Sequence, residues 1–148
     1  MHKSSIFFAS ICFLLFGFSI KQSNIKIIEA TSEKWTSGQN GSGSGTEYSI
    51  KIKVLSAEKI EFDTLWINNI SLGTFLTQNS SAISSDPIKI TKGETIIVRA
   101  SDLGSANNKT APPLAKYKGA GLLRYFVNGK AFYIVIKKFK PIQQTNRP

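Results

Sequence analysis

Histidine and cysteine occur once each in the 148 residues, as His2 and Cys12. Both lie in an N-terminal stretch that reads as a signal peptide, so the exported remainder is expected to hold neither imidazole nor thiol. That excludes histidine-assisted serine and cysteine hydrolases, the usual zinc and copper sites, and haem held by histidine. An internal disulfide is excluded as well, even in a compartment that would permit one, and stability has to come from an apolar core. Acids are also scarce: nine in all, and none beyond Asp102. No segment carries a helical apolar period, and no long block of like charge marks a disordered tail.

What is present begins with the leader. His2 and Lys3 form a short positive region, and an apolar run follows from Ile6 to Ile20. It falls short of the roughly 20 residues of a spanning helix, which argues against an uncleaved anchor. Gly17 and Ser19 have the small-residue spacing read by a signal peptidase, which places cleavage after Ser19, or as late as Ser23. A lipoprotein reading of Cys12 fits badly, because Ile11 precedes it and the apolar run continues through Phe16. The chain is therefore expected to be exported, to the periplasm, the cell surface or the medium. Residues 1–19 are assigned to the signal peptide, 24–140 to one folded domain and 141–148 to a C-terminal tail.

Period-two alternation dominates the rest. Tyr48, Ile50, Ile52 and Val54 interleave with Glu47, Ser49, Lys51 and Lys53, the pattern of a strand with one dry and one wet face. Ile60 to Ile67 gives a second strand, apolar on both faces toward its end and so expected to be central. Ile25 to Trp35 is compatible with a strand but poorly patterned, and a Gly/Ser-rich loop separates it from Tyr48. Downstream, PIKI from Pro87 and TIIVRAS from Thr95 read as two short strands around a corner, with Ile96, Val98 and Ala100 facing one way. Asn128-Gly129 between LLRYFV and KAFYIVI marks a hairpin with a type I′ turn. About seven or eight short strands suggest an all-β fold, a single antiparallel β-sandwich of immunoglobulin-like or related Greek-key layout, with a closed barrel as the alternative.

The run EATSEKWTSG followed by GSGSGTEYSIKI, from Glu29 to Ile52, resembles the opening of small exported bacterial β-sandwich proteins of uncharacterised function. Those carry a similar series of Thr-Ser-x-Lys-Trp, Gly-Ser-Gly and Tyr. The resemblance covers about a sixth of the chain and implies fold and location; it brings no catalytic residue.

Without imidazole or thiol, catalysis would fall to carboxylates, and a pair such as Asp63 and Glu94 would make a glycan hydrolase the rival reading. Calcium through Asp86 or Asp102 lacks a ligand-spaced loop, and Gly41 to Gly45 lacks the Lys-Ser/Thr pair and helix of a phosphate loop, so no cofactor is expected. Sequons stand at Asn40, Asn69, Asn79 and Asn108.

Charge gives the strongest functional hint. Acids and bases nearly balance up to Asp102, after which nine cations follow from Lys109 to Arg147 with no acid. In a two-residue hairpin Arg124 faces Tyr133, and Tyr133, Val135 and Lys137 share a face, leaving Leu123, Tyr125, Phe132, Ile134 and Ile136 for the core. Together with Tyr117, expected to be exposed between Lys116 and Lys118 on the long Ser101 to Gly119 loop, this suggests a binding surface of Lys116, Tyr117, Lys118, Arg124, Tyr133 and Lys137. Trp35 is a further ring that could stack on sugars, whereas Trp66 is assigned to the core. The expected partners are acidic polysaccharide, an anionic membrane surface or another envelope protein; nucleic acid is disfavoured because no recognition module accompanies the charge. The competing reading is that the lysines only keep a strand edge soluble. Taken together, the residues suggest an exported non-enzymatic binding or structural module of the cell envelope.

Overall fold

A computed structural model describes residues 23–37, 43–56, 58–77, 90–103, 109–110 and 116–147, with the backbone alone for 109–110 and 144–147. The expected leader, with Cys12, and most of the expected PIKI strand lie outside the described residues. The strands are β1 (Ile25–Ser37), β2 (Ser44–Val54), β3 (Ile60–Ile67), β4 (Ile70–Thr77), β5 (Thr95–Asp102), β6 (Lys109–Thr110), β7 (Gly121–Val127), β8 (Lys130–Ile136) and β9 (Lys140–Arg147). They form one sheet in the order β8-β7-β3-β4-β5-β2-β1-β9, with β6 beside β4.

The all-β expectation holds, but the sandwich does not. A sandwich needs two sheets, whereas here β4 belongs to both wings. Its first half, Ile70–Gly73, pairs with β3, and its second half, Thr74–Thr77, pairs with β5. The sheet therefore runs on without a break and curls into a half-barrel. It is mixed, because β9 runs parallel to β1 while the other pairs are antiparallel. Residues 141–147, expected as a tail, make up most of β9.

Side chains from both wings meet in one core on the inside of the curl. Ile50, Ile52, Val98, Leu65, Leu123 and Ile136 are each 2% exposed or less and join a single buried cluster. The dry faces expected for β2, β5 and the β7–β8 hairpin point into this core. Asn128 and Gly129 have φ of 49° and 80°, as a type I′ turn requires. The β3–β4 turn went unread in the sequence; it rests on Asn68, at φ 55°.

Bulges explain the poor patterning. In the β1–β2 ladder Ile27 faces Ile52 but Glu29 faces Lys51, so Ile28 is an extra residue and the inward positions become Ile25, Ile27 and Ala30. The same device in β3 isolates Asp63, since Phe62 faces Tyr125 and Thr64 faces Arg124.

Candidate functional site

Arg124 faces Tyr133 across the β7–β8 ladder, as expected, on the outer face of the sheet. The bulge at position 63 turns Asp63 to this side chain. Arg124 Nε donates to Asp63 Oδ1 at 2.9 Å and to Oδ2 at 3.1 Å, and a terminal nitrogen also contacts Oδ2. A further bond reaches Thr64 Oγ1 at 3.2 Å. The guanidinium lies 5.3 Å from the Trp66 ring centroid and 5.5 Å from that of Phe126. The Asp63 hydrogen bond holds the guanidinium above the usual arginine range. This cation is already neutralised by its own sheet, so it serves packing more directly than ligand capture.

Tyr117 is half-buried, not an exposed platform. Its hydroxyl donates to the carbonyls of Trp66 at 3.5 Å and Asn68 at 3.4 Å, tying residues 116–120 to the end of β3, and burial raises its pKa. Lys116 and Lys118 are exposed on either side. Trp66 is buried as expected, but it lies outside the core cluster, on the outer face within 6.3 Å of the Tyr133 ring. Trp35 stands over Gly45, where an added Cβ would come within 2.8 Å of the indole, so its ring serves local packing.

Lys137 belongs to a different place, the open seam of the half-barrel. Strand β9 pairs with β1 only from Thr31 onward, so Ile25–Ala30 has no neighbour on that side among the described strands. Strand β8 ends the sheet at its other edge. Between these two edges runs a groove of about 420 Å³. One bank is Ile27, Ile28, Glu29 and Ala30; the other is Ile134, Val135 and Ile136.

The crossing from β8 to β9 closes one end of the seam. Phe139 turns inward, its ring edge-on to Tyr48 at 5.0 Å, and packs against the core. Lys137, Lys138 and Lys140 remain exposed and line the groove. Behind them the Ala120 amide donates to the Ile136 carbonyl at 2.8 Å, fixing the end of β8. Sequence reasoning named Lys137 and missed Lys138, Lys140 and Ile28. A period break, Lys-Lys-Phe-Lys after a clean strand, was the available signal.

The carboxylates of the hydrolase reading have local partners. Asp63 holds Arg124, and Glu94 Oε2 accepts the Thr91 amide at 3.0 Å. Glu47 pairs with Arg99 at 2.9 Å and Glu61 with Lys59 at 2.7 Å. Among the described residues no three His, Cys, Asp or Glu side chains gather as a metal site, and no helix is long and apolar enough to cross a membrane. No protein-family model, curated protein or solved structure matches the chain.

Proposed function

We propose that the protein is an exported, non-enzymatic binding module of the cell envelope, and that its working surface is the seam groove, which takes an anionic ligand. One observation carries this reading: an apolar groove between two strand edges ends in Lys137, Lys138 and Lys140, with Glu29 the one carboxylate among its described lining residues. Three ammonium groups around one mouth raise the local concentration of anions and slow their escape. The apolar banks give a bound ligand something to bury besides charge. The hydrolase reading has less support, because the described acids discussed above face bases or backbone amides of their own.

The test is retention of the whole chain on dextran sulfate and on neutral dextran over a salt gradient. Retention on the sulfated matrix should fall steeply with salt, and Lys137→Gln, Lys138→Gln and Lys140→Gln combined should abolish most of it. Lys116→Gln with Lys118→Gln should do much less. Retention that ignores salt, or that survives the triple change, defeats the proposal. Turnover of a glycan lost on Glu94→Gln would promote the hydrolase instead.

A further inference from the structure

We infer that the ligand of the seam is an extended acidic peptide, which adds to the free edge of β8 as an extra strand. This inference rests on the groove reading above and specifies its ligand.

The banks of the groove are backbone edges as well as apolar surfaces. In a hairpin with a two-residue turn, the pair flanking the turn is hydrogen-bonded and the bonding alternates from there. Val127 and Lys130 flank the turn, so Lys130, Phe132, Ile134 and Ile136 direct their amides and carbonyls toward β7. Ala131, Tyr133 and Val135 direct theirs toward the outer edge, where no described strand lies. Across the groove the edge from Ile27 to Ala30 likewise faces no described strand, while the Ile25 carbonyl before it accepts from Ser23 Oγ. An acyl chain laid in this seam would cover apolar side chains but shut polar backbone groups away from water without partners. An extended peptide satisfies them by strand addition, with specificity coming from alternate side chains. Ile28, Tyr133 and Val135, respectively 50%, 37% and 37% exposed, flank the position such a strand would take.

Charge selects among strands. Two copies of β8 pairing antiparallel about Ile134 would bond Tyr133 of each to Val135 of the other and bring Lys130 of each opposite Lys138 of the other, and like charges so opposed are destabilising. Lysines on an edge strand repel such wrong partners. An acidic strand instead meets Lys130 at one end of β8 and Lys137, Lys138 and Lys140 at the other.

The probe is a capped peptide of about seven residues alternating valine and glutamate, the length of an ordinary strand, added to the whole chain. Amide hydrogen exchange at Ala131, Tyr133 and Val135 should slow by about tenfold or more as each amide gains a partner. The same peptide N-methylated on alternate residues should give no protection. Val135→Pro, which removes an outward amide at a position where an edge strand tolerates proline, should weaken binding about tenfold. Equal binding of the N-methylated peptide, or by a folded Val135→Pro, overturns strand addition. If the proline variant does not fold, the N-methylated peptide decides alone. Protection of the groove by dextran sulfate or phosphatidylglycerol vesicles but not by the peptide overturns strand addition and leaves the basic groove standing. If neither the peptide nor either polyanion binds, both readings fail.

Discussion

The two wings of the half-barrel bury different numbers of faces. In β2 and β5 the inner positions Ile50, Ile52, Ile96 and Val98 are at most 1% exposed, while Lys51 and Lys53 lie exposed outside. In β3 and β7 the inner Leu65 and Leu123 are equally buried, but so are outer Trp66 and Leu122, at 5% and 2%. Among the described residues no second sheet covers that outer face. It is covered by its own large side chains, Arg124 and Tyr133 among them, and by the neighbouring segment that Tyr117 pins to β3. A sheet can thus gain a partial second layer from its own side chains and a neighbouring segment, on the wing that ends in β8.

The largest effect should come from removing that layer. Trp66→Ala is expected to cost about 3–5 kcal/mol, the range for a large buried aromatic, measured by urea unfolding. A cost below about 1 kcal/mol would mean that the outer cluster merely lies on the sheet and that the wings are alike. Next comes the ion pair at the bulge. Asp63→Ala leaves Arg124 between Trp66 and Phe126 without its anion, and should cost about 1–2 kcal/mol. The side chains are 36% and 26% exposed, which places the loss toward the lower end. A cycle with Arg124→Met separates the pair's coupling from the loss of packing.

The contrast between the wings also decided what could be read from the sequence. Strand β2 alternates cleanly because one of its faces is wet, so its inner face was legible from Tyr48 to Val54. The β7–β8 hairpin was legible for a different reason, the positive φ demanded at Asn128 and Gly129. Strand β1 was obscured by the bulge at Ile28, which breaks the period of two while leaving the strand intact. Strand β4 offered no flanking Gly or Pro, only Asn68 and Asn69. It is also the strand that joins the wings, and missing it made a single sheet look like two. The basic surface was legible as composition, but its position was not. Whether Arg124 is free or held depends on the bulge that delivers Asp63, and whether Lys138 and Lys140 flank a groove depends on where β9 docks.

Alkaline pH compares the wings from inside. Burial raises the pKa of Tyr48 on β2, with Asp102 adding to the rise, and burial also raises that of Tyr125 on β7. A tyrosine pKa above its unfolded value near 10 means that the native state holds the proton more tightly. The resulting stability is complete below about pH 10 and declines as pH rises through the native value. Unfolding free energy should therefore fall on that limb, and Tyr48→Phe and Tyr125→Phe should each flatten it. A response to only one of the two would show that the other hydroxyl keeps access to water in the native state, and that the wings enclose their tyrosines unequally.

The smallest effect should come from the wet face of the first wing. Lys26 and Lys53 stand directly opposite each other in the β1–β2 ladder, both exposed. Like charges in that relation repel weakly, and water and salt reduce the repulsion further. Lys53→Glu replaces the repulsion with an attraction, touches no buried group, and should raise stability by about 0.3 kcal/mol at low ionic strength. Urea unfolding at low and high salt should show the gain shrinking as salt rises. A loss of about 1 kcal/mol or more would mean that Lys53 helps hold the sheet, and that the face taken as solvated carries structure as the Trp66 face does.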